Sequence, residues 1–259
     1  LERRLNALQE SFLEATDEKA RVEAEALNCE TRLSLAERLV SGLASENVRW
    51  GNEVEELKAK KISLIGDVLL SASFVSYIGA FDAPLRNELW RQSWLEDLIS
   101  REIPITDDID PLGVLANDAE VATWSNQGLP ADRISRENAA IVTNCMRWPL
   151  MIDPQLQGIK WVSAMEGARC GEFEETGKKI LTVQLTHKNW LRDLKQAVQS
   201  GWVMIVENLG EDVDSVLEPV LMRQVVRRGH NEFVRLAGED VSYDKDFRLY
   251  LQTKLSNPH

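Results

Sequence analysis

The stretch "DPQLQGIKW", Asp153 to Trp161, sets out an aspartate, a glycine and a lysine in nearly the order of a phosphate-binding loop. A working loop, GxxxxGK[ST], uses its glycines for close backbone approach, its lysine for the phosphates and its hydroxyl for magnesium. Here Asp153 stands where the first glycine would be and Gly158 keeps the second. Ile159 follows it, Lys160 comes one place late, and Trp161 replaces the hydroxyl residue. A carboxylate at the loop entrance also repels phosphate. Hydrolysis further needs a strand ending in an Asp that orients magnesium and a Glu that activates water. The strand "WVMIVE" ends instead in Glu207 followed by Asn208. Asn208 cannot accept a proton, which excludes general-base catalysis from that position. Glu207 retains the chemistry to touch a metal but reads as a structural hydrogen-bonding residue. Thr253, at the end of "FRLYLQT", sits where a polar sensor would read a phosphate and, without the other parts, also reads as structural. The expected site is therefore a vestigial nucleotide pocket, with no catalytic residue, no metal ligand and no cofactor of its own.

The elements that must position these residues form a repeating alternation. Apolar runs at 149–153, 180–185, 202–207 and 247–253 read as strands, and helical stretches at 155–167 and 189–201 separate the first three. Strand-helix-strand alternation implies an α/β fold with a largely parallel sheet flanked by helices, and places the loop after the first strand at a helix N-terminus, where phosphate is held. Residues 231–247 read as a hairpin-type insertion before the last strand. Ahead of the sheet, "LRNELWRQSWLEDLIS" has helical spacing and "SRENAAIVTN" a short helix with Ser135 as cap candidate.

Upstream of Pro84 the pattern is different. A 4-and-3 alternation runs through Leu1, Leu5, Leu8, Phe12, Ala15, Lys19, Val22, Ala26, Cys29, Leu33, Ala36, Val40, Leu43, Asn47, Trp50, Val54, Leu57, Lys61, Leu64 and Val68, broken in polarity only at Lys19, Asn47 and Lys61. One narrow apolar stripe on a charged helix is a coiled-coil seam, and at 1.5 Å per residue such a helix is about 100 Å long. Its stripe needs a partner, either a second copy or a segment outside this chain. Gly42 and Gly51 are weak points in it by propensity. The seam ends in "GDVLLSASFVSYIGAF", residues 66–81, where near-continuous apolarity predicts burial of Val68, Leu69, Phe74, Tyr77 and Phe81, with Glu53 and Lys58 exposed. The run from Val68 to Phe81 is shorter than the roughly 18–20 residues of a membrane-spanning helix. The organisation read from sequence is a coiled-coil helix over 1–68, a helical base over 69–110 and a degenerate nucleotide-binding large subdomain over 111–259.

Composition removes several classes. With 44% apolar residues the chain can build a core, and its net charge of −12 argues against a surface that holds nucleic acid or anionic lipid by itself. Cys29, Cys145 and Cys170 are odd in number and widely spaced, and His187, His230 and His259 lie far from them, so neither a disulfide framework nor a zinc site is expected and a reducing compartment is. The chain opens without methionine in mid-pattern, as a piece of something longer would.

These residues closely resemble dynein heavy chains over nearly the whole chain. "GLASENVRW" resembles the family's signature in the returning stalk helix, and "GDVLLSASFVSYIGAF" the segment where that helix enters the motor ring. "NQGLPADRISRENAAIVTNCMRWPLMIDPQLQGIKW" and "FRLYLQTKLSNPH" resemble the large part of the fifth AAA+ module, in wording closer to axonemal, outer-arm chains than to cytoplasmic ones. The resemblance implies a P-loop-NTPase-like AAA+ sheet in a microtubule motor, in a module that is structural while ATP and magnesium act at other modules. It implies, as partners, the outgoing stalk helix, neighbouring AAA+ modules of the same chain, other dynein chains, and the microtubule only through a tip outside this sequence. It also implies a ciliary or flagellar axoneme as the location. Two rivals stand beside it. An active coiled-coil ATPase of the chromosome-maintenance type needs an intact loop, an Asp-Glu strand end and a basic surface, and a homodimeric scaffold leaves the strand-helix alternation without a reason.

Overall fold

A computed structural model describes residues 2–171 and 177–256. Leu1, the side chain of Leu5, and His259 lie outside the described residues. The chain falls into two units, Leu1–Ile62 and Ser63–His259.

The first unit is the greater part of helix α1 (Glu2–Tyr77), which continues through Gly42 and Gly51 without a break. Helix-forming Glu, Lys, Arg, Ala and Leu fill it, and i,i+3 or i,i+4 pairs such as Lys19–Glu23, Arg21–Glu18 and Lys58–Glu55 lace its surface. Its stripe is open to water: Phe12, Leu33, Val40, Leu43, Trp50, Val54 and Leu57 are exposed, as is Cys29. Glu53 and Lys58 are exposed as expected.

The end of α1 belongs to the second unit, and here one sequence expectation holds and four fail. Phe74 is 0% exposed, but Val68 is 50%, Leu69 46%, Tyr77 68% and Phe81 37% exposed. Leu70 and Ile78 are buried with Phe74, a stripe at four-residue spacing that packs with Trp90, Leu98 and Ile109, and Ser71 is buried beside it. A helix packed on one side buries only one face, whatever the apolarity of the other. Gly66 is required by close approach, because a Cβ there would sit 2.4 Å from the Pro104 carbonyl oxygen. Beside it the Asp67 carboxylate accepts the Thr106 N–H at 2.8 Å and its hydroxyl at 2.6 Å, clamping that loop to the helix. Taken as a whole, α1 contains an 18-residue window apolar enough by composition to cross a membrane, a third of it buried within this chain. The Val68–Phe81 run alone understates that apolarity. A helix that packs on a protein core meets the same compositional test.

After a 3-10 turn at Ile78–Ala80 come α2 (Ala83–Asn87), a π-helical stretch Glu88–Trp94 and α3 (Leu95–Ser100). Short helices α4 (Pro111–Leu115) and α5 (Asp118–Asn126) follow, the latter closed by a capping box between Asn117 and Glu120. Helix α6 (Arg133–Asn144) is capped by Asp132, not by Ser135: the Asp132 carboxylate accepts the Ser135 N–H at 2.9 Å and its hydroxyl at 2.7 Å. The Ser135 N–H holds the Asp132 carboxyl below its usual range.

Arg86 joins the C-terminal end of α1 with the turn after it, hereafter the root, to α6. Its buried guanidinium pairs with Glu137 at 3.2 Å and donates to Asn138 Oδ1 at 2.8 Å and to the carbonyls of Phe81 and Gly79 at 2.7 and 3.2 Å. Glu137, also buried, takes a second bond from Arg133 at 2.7 Å, and Arg133 in turn holds Asp110 through two nitrogens. A fully bonded ion pair of this kind is tolerable in a core, whereas half of one is not.

The sheet consists of β1 (Leu150–Ile152), β2 (Ile180–Val183), β3 (Val203–Val206) and β7 (Arg248–Thr253), all parallel, in the order β1-β7-β3-β2. Helices α7 (Gln157–Gly171) and α8 (Trp190–Ser200) make the crossovers. Gly201 ends α8 in the left-handed region, φ 65°. Strand β3 is buried throughout, as a central parallel strand must be. On one side the core gathers Leu194, Val198, Met204 and Leu249, on the other Ile159, Val162, Ile205 and Tyr250. Glu166 is buried on α7, where Tyr250 donates to it at 2.6 Å and Arg248 pairs with it at 3.0 Å. Burial, reinforced by that carboxylate, raises the Tyr250 phenol far above its ordinary value.

Between β3 and β7 lies more than the expected hairpin. After α9 (Glu218–Leu221), β4 (Val225–Arg228), β5 (Asn231–Leu236) and β6 (Glu239–Ser242) form a separate antiparallel sheet. The run "QVVRRGH" was short and charged enough to hide β4 from the sequence reading.

Candidate functional site

The residues singled out by sequence meet, in part, at the C-terminal ends of β1, β7 and β3. The Asp153 side chain turns onto the N-terminus of α7, accepting the Gln157 N–H through Oδ1 and the Ile159 N–H through Oδ2, each at 2.9 Å. These are the unpaired amides a helix start offers to an anion. In this chain the anion is supplied internally. Gly158 lies beside the carboxylate, a Cβ there being 3.4 Å from Asp153 Oδ2. Leu156, just before the helix, takes a left-handed φ of 60°, a conformation costing a non-glycine residue roughly 1–2 kcal/mol. Lys160 is exposed on α7 and does not join Asp153 and Gly158.

At the end of β3, Glu207 is half-buried and its N–H continues the ladder to the Val183 carbonyl at 2.9 Å. Asn208 leaves the strand at φ 54°, which asparagine tolerates better than most residues. Its N–H donates to Gln252 Oε1 at 2.9 Å, and Gln252 Nε2 donates to the Asp153 carbonyl at 3.0 Å. Gln252 thus ties the loop after β1 to the loop after β3 across the strand between them. The sequence reading missed it. Its signal was a glutamine within "RLYLQT", a strand expected to be buried on both faces, where an amide must find partners. Thr253 is buried and donates to the Leu209 carbonyl at 2.7 Å, while its own carbonyl accepts the Asp153 N–H at 3.0 Å.

Beside this crevice a cavity of about 410 Å³ lies between α6 and the β1–α7 segment, lined by Asn138, Ala139, Met151, Gly158 and Trp161 and reached by Gly79 from the root. Its size suits a small molecule. Asp153 lines it beside the start of α7, and the residue after Glu207 is Asn208, an amide.

A four-stranded parallel sheet with flanking helices, a phosphate-loop remnant after its first strand and a long helix ahead of it define an AAA+ module preceded by a stalk helix. Residues 122–259 match the family model described as the ATP-binding dynein motor region, and residues 1–98 that of the microtubule-binding stalk of dynein motor. The chain belongs to the dynein motor family. It is 42% identical over 252 residues to the dynein beta chain of the flagellar outer arm of Chlamydomonas reinhardtii, covering 97% of this chain and 5% of that protein. It is 44% identical over 254 residues to mouse dynein axonemal heavy chain 17, with 97% and 5% covered. The ciliary dynein beta chain of Tripneustes gratilla gives 44% over 247 residues, with 95% and 5% covered. The chain thus spans about a twentieth of the length of the curated relatives it matches.

Proposed function

We propose that this chain is the returning stalk helix and a non-hydrolysing AAA+ module of an axonemal dynein, coupling an ATPase ring to a microtubule-binding tip. The observation that carries the non-hydrolysing part is the Asp153 carboxylate seated on the Gln157 and Ile159 amides. A phosphate arriving there would have to displace a hydrogen-bonded anion and then meet no aligned lysine or hydroxyl. Titration calorimetry of the chain with Mg-ATP and Mg-ADP tests this. No saturable binding is expected, and binding at micromolar concentration overturns it.

The coupling part rests on the root. Phe74 and Leu70 pack in its core, and Arg86 reaches from there to α6, the helix that forms one wall of the cavity. The open stripe of α1 is the surface on which the outgoing stalk helix would lie, and the polar positions Lys19, Asn47 and Lys61 are where its register would change. Cross-linking the two helices near Asn47 in the intact motor should lock coupling in some registers and not others. Equal coupling in every register removes the idea. In this reading the partners are the outgoing helix, adjacent modules of the same heavy chain and other dynein chains, and the location is the axoneme of a cilium or flagellum.

A further inference from the structure

At the N-terminal end of β7, away from Thr253, a second hollow of about 250 Å³ opens between the end of α6, Trp148 and the segment after β6. Its wall carries Arg147, Arg223, Lys245 and Arg248 together with Thr143 and Tyr243, and among the described residues no Asp or Glu lines it. In a chain of net charge −12, this is a local reversal of sign. Arg248 and Lys245 each have an acidic neighbour, Glu166 at 3.0 Å and Glu232 at 3.4 Å. Among the described residues, no carboxylate pairs with Arg147 or Arg223.

Arg223 is also held in place. Its backbone takes a left-handed φ of 48°, and its guanidinium lies 4.0 Å over the Trp148 ring. Trp148 is itself fixed, its indole N–H donating to the Val220 carbonyl at 2.8 Å and its ring standing edge-on to Phe247. A guanidinium stacked by its face keeps its N–H edge free for bidentate contact with an oxyanion. Burial pushes the Cys145 thiol and the Tyr243 phenol up, and Arg223 opposes that rise at both, while Glu232 and Asp244 add to it at Tyr243.

We infer that this hollow is a binding site for a compact phosphate group, gripped by Arg223 and Arg147. Size and charge select compactness. A long polyanion extends past a hollow of about 250 Å³ and meets the net negative charge of the chain as a whole, whereas a single phosphate group fits within it. The site is separate from the strand-end crevice, where Asp153 keeps phosphate out.

The same chemistry is offered by free phosphate and by a phosphorylated protein side chain. The test is a titration of the chain with inorganic phosphate, and in parallel with a phosphoserine peptide, with chloride holding ionic strength constant. Saturable binding with a dissociation constant on the order of 1 mM or below is expected. It should weaken about tenfold or more in Arg223→Ala and in Arg147→Ala, less in Arg223→Lys, with melting temperatures recorded to confirm folding. Lys160→Ala, in the strand-end loop, should leave it unchanged. A peptide that binds about tenfold tighter than inorganic phosphate assigns the site to a modified protein, and equal affinity assigns it to the free ion. Phosphate that binds no better than chloride, or binding indifferent to both arginine substitutions, overturns the inference. Mg-ATP binding lost on Lys160→Ala would instead count against the vestigial pocket.

Discussion

Along α1, Leu33, Val40, Leu43 and Trp50 are all more than half exposed, an apolar stripe in water interrupted here only by Asn47. At the strand ends of the sheet the reverse holds, for there the helix amides, the strand-end N–H groups and the Thr253 hydroxyl are bonded by the chain to itself. The contrast separates two ways in which polar and apolar groups are left in one chain. The stripe gains nothing from burial among the described residues, since burying a leucine or valine contributes roughly 1.5–3 kcal/mol only when something covers it. The polar groups of the crevice, by contrast, already have their partners within the chain.

The largest effects should come where α1 crosses from one regime to the other. Phe74→Ala removes a fully buried ring from the root and is expected to cost about 3–5 kcal/mol, read by urea denaturation of the globular unit. A loss below about 1 kcal/mol would mean that the root is as open as the stripe. Next comes Arg86→Met, which leaves Glu137 buried with Arg133 alone and should cost about 3 kcal/mol. Adding Glu137→Gln to it should recover part of that loss, because the stranded charge is then gone.

Asp153→Ala frees the two amides of α7 and should cost about 1–2 kcal/mol, the worth of a strong helix cap. It should not create Mg-ATP binding, since the lysine and hydroxyl positions remain Ile159 and Lys160; binding restored by this one change would show the crevice to be merely blocked. The Asp132 cap predicts a pH effect of similar kind. Its carboxyl is depressed in the fold, so its contribution is present above the unfolded value near 4 and is lost as pH falls through the folded value. Asp132→Ala should cost about 1 kcal/mol at neutral pH and flatten that acid dependence. The smallest effect belongs to the stripe. Leu33→Ala should change the stability of this chain by less than about 0.5 kcal/mol, yet weaken its pairing once a partner helix is supplied, as followed by circular dichroism with and without that helix.

Much of this was legible in the sequence. The strands at 150–152, 180–183, 203–206 and 248–253 follow from apolar runs bounded by turn residues, and the long helix follows from its unbroken heptads. The Asp153 substitution could be read as unfavourable to phosphate. That its carboxylate accepts the Gln157 and Ile159 amides could not, because the direction of a side chain four to six residues from its partners depends on how tightly the loop turns. Ser135 was read as the cap because it begins an apolar-periodic segment, but Asp132, three residues earlier, supplies the stronger acceptor.

The sequence by itself determined the long helix, the four apolar strands of the main sheet and their parallel arrangement, and which residue types stand in the loop after the first of them, since these depend on local periodicity and composition. Only the tertiary structure decided which face of residues 66–81 is buried, that Gln252 joins two loops across a strand, and that Arg86 holds Glu137 from 51 positions away. The physical reason is the same in each case. Burial and hydrogen bonding between distant residues depend on the neighbour that arrives, and apolarity on every side of a helix does not specify on which side that neighbour will pack.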